Sequence, residues 1–298
     1  MTGIICVNKP KDITSFGVVA KIRGIMREKK AGHTGTLDPM ATGVLPIMLG
    51  GATRFLNFLE DSDKSYRATF VLGITTDTLD ITGKILDKKE VHSTVQDVEK
   101  ALELFKGKIM QTPPMYSAKS VDGVRLYDLA RKGIEIEREA CEVEIKSINL
   151  VDACEKDNTY VIDVYCSKGT YIRSLIDDIG NRLGCGAVMT ELQRTSAMGF
   201  SLDDCVTLDE LQAIKDSNGS FDDFVIDVEN ILGCYDRIDV SPAQAKRFSN
   251  GGELSVDRIK QNLCNNTIYR VYGDDSFLGL GKVQESDLKV ARLLTKRD

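Results

Sequence analysis

At about 150 residues per domain, a chain of 298 residues suggests one large domain or two unequal ones. A hydrophobic share of 42% and a charged share of 28% are those of an ordinary globular protein. The longest apolar stretches, such as Val44 to Leu49, fall far short of the roughly 18 residues of a membrane span, and the first residues lack the basic start and long apolar run of a signal peptide. Membrane and secreted classes are therefore excluded, and a cytoplasmic location is expected. Net charge is −6, from 39 Lys and Arg against 45 Asp and Glu. It is unevenly spread. Residues 1–70 carry ten basic and six acidic side chains, residues 105–132 six and two, and residues 200–232 one and nine. The acidic total thus hides two locally basic regions of the kind phosphate binding needs, although solvated surface alone would also account for them.

In chain order, Gly3 to Asn8 reads as a short buried strand. Thr14 or Ser15 can cap a helix whose Val18, Val19, Ile22 and Ile25 recur at helical spacing. Glycines and prolines cluster from Gly32 to Gly51, which predicts a loop-rich segment. Tyr66 to Gly73 alternates as a strand with Tyr66, Ala68, Phe70 and Leu72 on one face. Thr94 to Phe105 has the pattern of an amphipathic helix, 107–140 is long and irregular, and 141–151 and 159–167 read as strands. Thr170 to Leu183 reads as a helix ended by Gly184, and Thr207 with Glu210 forms a capping box for another. The tail holds a short helix after Pro242 and strands near 268–273, 276–283 and 288–294. The expected fold class is α+β, with a mixed or antiparallel sheet over residues 1–232 and a small β-rich domain over 233–298.

Chemistry is narrowed by what is missing. The eight cysteines include no Cys-x-x-Cys pair and read as reduced, mostly buried thiols. The two histidines, His33 and His92, belong to no metal-binding spacing. There is no phosphate-binding Gly-x4-Gly-Lys loop, and Gly279-Leu-Gly281 lacks the third glycine of a dinucleotide fingerprint. No metal, nucleotide or redox cofactor is expected. Thr76-Asp77-Thr78 with Asp80 has the side chains of a cation site, but its place at a strand exit favours turn and capping chemistry.

The informative stretch is Ala31-Gly-His-Thr-Gly-Thr-Leu-Asp-Pro-Met-Ala-Thr-Gly-Val-Leu-Pro46. It places His33 and Asp38 in a segment rich in glycine, where backbone can approach a ligand closely. Two readings of Asp38 are open: a functional carboxylate, or a helix N-cap with Pro39 at the first helical position. His33 reads equally as a turn residue.

This stretch resembles the catalytic loop of the TruB family, the bacterial tRNA pseudouridine-55 synthases. Further motifs of that family follow in order: Val7-Asn-Lys-Pro10 with Thr14-Ser15, Asp63-Lys-Ser-Tyr66, Leu72-Gly73 with Thr76-Asp-Thr78, Pro113-Pro-Met-Tyr-Ser-Ala118, and Ser167-Lys-Gly-Thr-Tyr-Ile-Arg-Ser174. The likeness covers residues 1 to about 200 well. The tail is more weakly similar to the family's PUA-like RNA-binding domain, through Phe277-Leu-Gly-Leu-Gly281.

The resemblance implies a stand-alone, monomeric enzyme that isomerises a T-loop uridine of tRNA without a cofactor. It further implies Asp38 as nucleophile, Tyr66 against the base and Arg173 paired with Asp38. His33, Tyr171, Leu192 and Lys9 would be substrate contacts. Without the resemblance, Tyr66 and Leu192 read as core and Arg173 as a phosphate-contacting surface residue. A non-catalytic RNA-folding module and an RNA-guided synthase subunit are the competing functions; the intact Asp38, Tyr66 and Arg173 oppose the first, and the lack of a lysine-rich extension opposes the second. Two departures stand out. Lys119 lies one place earlier than the family's usual lysine, and Asp12 replaces a glycine in the Lys9-Pro10 turn, where a left-handed backbone is needed.

Overall fold

In a computed structural model of the chain, residues 1–59, 63–117, 119–121 and 123–294 are described. Ala118, the last residue of the Pro113 motif, and the final four residues of the expected 233–298 unit lie outside them. The first two-thirds of the chain contains β1 (Gly3–Lys9), α1 (Ser15–Met26), β2 (Ala31–His33), β3 (Thr42–Leu49), β4 (Lys64–Leu72), β5 (Ile74–Thr76), β6 (Ile85–Lys88), α2 (Val95–Glu103) and β7 (Gly107–Gln111). Then come β8 (Ser120–Val121), β9 (Val124–Arg125), α3 (Leu126–Ala130), β10 (Cys141–Cys154), β11 (Thr159–Cys166), α4 (Ile172–Arg182) and β12 (Ala187–Ala197). The remainder is β13 (Phe200–Ser201), α5 (Leu208–Asp216), α6 (Val228–Ile231), β14 (Asp236–Val240), α7 (Pro242–Ser249), β15 (Leu254–Ser255), β16 (Ile268–Gly273), β17 (Ser276–Gln284) and β18 (Asp287–Leu293). No helix among the described residues is long and apolar enough to cross a membrane.

The main sheet runs β1-β3-β12-β4-β11-β10-β7, antiparallel except for the β3–β12 pairing. Helices α1, α2, α4 and α5 bury Val18, Ile22, Val98, Ile176 and Leu211 against one face, together with Tyr66, Ala68, Phe70 and Leu72 of β4. The strand face read from the alternation is the one observed, and Phe70 stacks on Tyr160 of β11 at 5.5 Å between ring centroids. A second sheet, β14-β16-β17-β18-β15, has its own core around Phe248 and Val271. Its Tyr272, Phe277 and Leu280 pack on the opposite face of the main sheet, against Ile4, Val44, Met48 and Phe55.

That two-sided burial corrects one expectation. Thr42 to Leu49, expected within a loop, is a strand, because layers on both faces let a continuous apolar run replace alternation. Val44 and Met48 face the second sheet, while Leu45, Ile47 and Leu49 face the helices. The irregular 107–140 segment likewise begins with a regular strand, β7, paired to β10 from Gln111–Cys141 to Gly107–Ile145. The thiols are less buried than expected: Cys6, Cys166 and Cys185 are buried, but Cys141, Cys154, Cys234 and Cys264 are exposed.

Local signals were otherwise reliable. Thr14 caps α1, Thr94 caps α2, and Thr207 with Glu210 forms the capping box of α5. Asp12 does adopt the left-handed backbone its turn needs, with φ +63°, and its N–H donates to the Pro39 carbonyl at 2.8 Å.

The tightest backbone approach is at Gly43. Its φ is +102°, and a Cβ there would lie 2.2 Å from the Arg194 carbonyl oxygen of β12. Gly43→Ala should therefore cost roughly 2–4 kcal/mol through strain and overpacking. Urea unfolding would measure it, and a loss under about 1 kcal/mol would show that β3 and β12 can separate cheaply.

Candidate active site

The residues from His33 to Ala41 connect β2 to β3, and their path is fixed by buried polar groups rather than by regular structure. Ser15, at the start of α1, accepts from the Leu37 N–H at 2.8 Å and donates to its carbonyl at 2.9 Å. Lys9, at the end of β1, has no exposed surface and donates to the carbonyls of Pro10, Pro39 and Ala41 at 2.9, 3.1 and 2.6 Å. Arg194, only 1% exposed on β12, donates to the carbonyls of Gly35, Thr36 and Val44. No helix follows Pro39: the Ala41 N–H bonds the Asp38 carbonyl at 3.1 Å and closes a turn. The N-cap reading of Asp38 is thereby removed.

Asp38 is partly buried, with 31% of its side chain open. Its Oδ2 is 2.9 Å from Nε of Arg173, whose side chain is 5% exposed. The rest of the Arg173 guanidinium is held elsewhere. Nη1 donates to the Thr78 carbonyl at 3.0 Å and stands 3.6 Å from Asp80, and Nη2 donates to the Tyr116 carbonyl at 2.8 Å. Arg173 is thus an anchored cation, in contrast to a surface phosphate contact.

Its helix is anchored too. The Gln111 side chain accepts from the Tyr171 N–H at 2.7 Å and donates to its carbonyl at 3.0 Å, clamping the start of α4. Ser174 adds a bond to the Thr112 carbonyl at 3.1 Å.

Charge tuning follows from this enclosure. Burial pushes the Asp38 carboxyl above its ordinary range; Arg173 opposes that shift, Asp80 adds to it, and Lys9 opposes it. Burial brings the Lys9 ammonium down to about 8, with Asp38 resisting. His33, half-buried at the end of β2, is lowered by burial and by the Arg194 charge, so its imidazole is neutral at pH 7. Its Nδ1 is buried with no hydrogen-bond partner among the described residues. Burial raises Tyr66 above its ordinary range, while Arg194 favours the ionised phenol and Asp38 disfavours it.

The structure brings Arg173, Lys9 and Tyr66 each within electrostatic range of Asp38. Leu192 of β12, 8% exposed, lies opposite Ala68 of β4, two pairs along from Arg194 and Tyr66 and on the same face. Tyr171 is half-buried at the N-cap of α4, with Lys119 near its ring. The early Lys119 itself bonds the Cys141 sulfur at 3.0 Å. Lys9 is misplaced by the sequence reading: a fully buried ammonium engaged by three carbonyls holds the loop and does not face a ligand.

Asp80, Arg194 and Gln111 were not singled out as site residues. Asp80 was read within a turn, and it does accept there from Thr78 Oγ1 at 2.8 Å and Thr82 N at 3.0 Å. Its second role appears only once α4 is packed against that turn. The signal available for Arg194 was its place two residues after Leu192, on the face shared with Tyr66.

The fold is that of the pseudouridine synthases. Superposition on the structure described as a Cbf5-Nop10-Gar1 complex gives a TM-score of 0.72 at 25% identity, over 100% of this chain and 86% of that one. The archaeal box H/ACA sRNP Nop10-Cbf5 complex, at 24% identity and a TM-score of 0.72, shares the fold. The family profile described as TruB family pseudouridylate synthase (N terminal domain) matches residues 23–172. Profiles for the tRNA pseudouridylate synthase B C-terminal domain and for the C-terminal part of pseudouridine synthase II TruB match 173–233 and 237–294. A tRNA pseudouridine synthase B from Clostridium tetani is 44% identical over 99% of this chain and 100% of its own length, and one from Clostridium acetobutylicum is 43% identical over the same shares. The chain belongs to the TruB family and is a pseudouridine synthase, an enzyme that isomerises uridine in RNA.

The opposed influences on Asp38 can be measured directly. Asp80→Asn should lower the Asp38 carboxyl pKa and Arg173→Gln should raise it, because the first removes a like charge and the second a compensating cation. Carbon-13 NMR titration of the Asp38 carboxyl reads both, and shifts of the same sign would overturn the assignment of these neighbours.

Proposed function

We propose that the chain converts the T-loop uridine at position 55 of tRNA to pseudouridine, with Asp38 as nucleophile. The observation that carries this reading is the Asp38–Arg173 contact at 2.9 Å, with 31% of the carboxylate side chain still open. Isomerisation breaks the N1–C1′ bond, turns the base, and joins C5 to C1′. The C5 proton leaves and N1 gains one, so nothing is oxidised and no donor group is consumed. The task needs an ionised carboxylate in a dry pocket, and a buried carboxyl stays ionised only with a cation beside it. Arg173 supplies that cation.

A uridine stacked in a folded loop must be extruded to reach Asp38, at an unstacking cost of a few kcal/mol. Tyr66 and Leu192, on adjacent strands, form the apolar wall on which the extruded base rests. The Tyr66 hydroxyl stands near enough to Asp38 to feel its charge and assists the C5 proton transfer. Neutral His33 borders the space the base enters without adding charge, and Tyr171 bounds the pocket from α4. Lys9 acts by holding the carbonyls of Pro39 and Ala41, which flank Asp38.

Residues 1–232 constitute the catalytic unit in this reading, and 233–298 a PUA-like unit that grips tRNA beyond the loop. Support comes from Lys246, Arg247, Arg258 and Lys260, which are exposed and neighbours, since Gln244 bonds the Arg258 carbonyl at 2.9 Å. The acidic residues of 200–232 are mostly exposed and lie outside any ion pair with these cations. The chain works alone, as a cytoplasmic monomer. Relatives called tRNA pseudouridine synthase B match it end to end at 43–44% identity, well above the Cbf5 structures at 24–25%.

Tritium release from C5-labelled uridine in unmodified tRNA tests the proposal. Wild-type enzyme should release one tritium per tRNA, and Asp38→Asn should bind with unchanged affinity and release none. Tight binding without release by the wild type would favour an RNA-folding module, and release by the Asp38 variant would remove that residue as nucleophile. If the basic face binds phosphate, log Kd should rise with log salt at a slope of about 0.7–0.9 per contact; a flat dependence would sink that part of the reading.

A further inference from the structure

Arg194 is the bulkiest of the fully buried side chains, yet no carboxylate pairs with it among the described residues. A buried guanidinium with no acid beside it is costly to keep, so its position calls for a reason beyond packing. Its strand placement supplies one. Arg194 is the cross-strand partner of Tyr66 on β4 and, on its other side, of Gly43 on β3. Directly opposed residues in a ladder project to the same face with Cβ atoms about 5 Å apart. From there the side chain reaches past Tyr66 into the loop and donates to the carbonyls of Gly35 at 3.2 Å, Thr36 at 3.4 Å and Val44 at 2.7 Å. One planar group therefore bonds the loop that carries Asp38 and the strand that follows it, and it belongs to a residue paired across the ladder with Tyr66, whose phenol feels its charge.

The neighbouring glycine makes this possible. A Cβ on Gly43 would strike the Arg194 backbone, so the bare α-carbon lets β12 approach β3 closely enough for the guanidinium to reach the loop. The Arg194 charge is also felt by His33 and Lys9, the other polar groups around the loop. Arg173 addresses the carboxylate itself, whereas Arg194 addresses the backbone carrying it and the phenol facing it.

We propose that Arg194 is a positioning residue for the isomerisation: it fixes Tyr66 and the Asp38 loop relative to each other, and contributes to turnover through them and not to tRNA binding. The inference rests on the roles given above to Tyr66 and Asp38. Its consequence is non-additivity. Once the Tyr66 hydroxyl is gone, part of what Arg194 holds in place is already lost.

The test is a double-mutant cycle of Arg194→Lys and Tyr66→Phe, read by single-turnover tritium release at saturating enzyme and by tRNA Kd. Lysine keeps the charge but lacks the planar fork that serves several acceptors at once. Arg194→Lys should slow the single-turnover rate about a hundredfold, the cost of an ångström-scale misplacement of reacting groups, with Kd within about twofold of wild type. In the Tyr66→Phe background the same change should cost about tenfold or less, because residues that act together do not add.

Equal losses in both backgrounds, or a loss of affinity matching the loss of rate, would overturn the proposal. So would failure of both Arg194→Lys and Arg194→Met to fold, since that would assign Arg194 to the fold itself. Wild-type and Asp38→Asn controls separate this from failure of the underlying reading: a wild type that releases no tritium refutes the reaction, whereas an active wild type with an additive cycle refutes only the role of Arg194.

Discussion

The organising constraint of this molecule is a carboxylate taken out of bulk water and kept beside a single anchored cation. Asp38 and Arg173 are 135 positions apart in sequence, on a turn and on a helix, and meet at 2.9 Å. Transfer of either charge alone into a protein interior is costly, and removal of one partner leaves the other uncompensated. The fold around them is therefore an arrangement for bringing two backbone segments to a fixed separation. α4 is located by the Gln111 side chain at the end of β7, which bonds the Tyr171 backbone, and by Ser174, which bonds the Thr112 carbonyl. The turn is located by Ser15, Lys9 and Arg194. In each case polar side chains bond to backbone, because a segment without regular structure still has N–H and C=O groups that burial obliges to pair.

How much of this could be read from the chain depended on range. Capping of α1, α2 and α5 uses residues three apart and was legible, as was the core face of β4 with its period of two. The left-handed turn at Asp12 was also local. β3 was not legible, because its context is remote. Pro46 and the flanking glycines indicate a loop unless the second sheet is known to cover one side, and only that layer explains an uninterrupted apolar run. The four exposed cysteines were missed for a related reason: a thiol's preference for burial is a tendency of the residue, whereas exposure depends on place, here the two ends of β10 for Cys141 and Cys154 and irregular segments for Cys234 and Cys264.

The site divides in the same way. Asp38, Tyr66 and Arg173 are suggested by motifs whose order along the chain carries the information, and the structure brings Arg173 to 2.9 Å from Asp38. Asp80 looked like turn chemistry and is turn chemistry, but the turn happens to be packed against Arg173. Lys9 illustrates the converse error. A lysine in a motif suggests a contact with an anionic ligand, yet its ammonium is sealed under the loop with three carbonyl acceptors. Burial lowers its pKa to about 8, so near neutral pH it holds the loop as a hydrogen-bond donor whose charge is only moderately secure. Motifs report which residues matter without reporting whether they face the ligand or the backbone beneath it.

The pairing of Asp38 with Arg173 is one-pronged, and that detail reconciles a protected charge with a reactive one. A guanidinium can grip a carboxylate with two parallel bonds, which would engage both oxygens. Here only Nε faces Asp38; Nη1 and Nη2 are held by the Thr78 and Tyr116 carbonyls. Asp80 draws on the same cation from 3.6 Å, so Arg173 is shared between two acids and neutralises neither completely. The net result is a carboxyl raised above its ordinary range by burial and still paired with a cation. A more basic carboxylate is a better nucleophile so long as it remains ionised, and a fully satisfied one would be inert. The carbonyls that occupy two-thirds of the arginine fork thus limit how far the cation can close over the group it keeps charged.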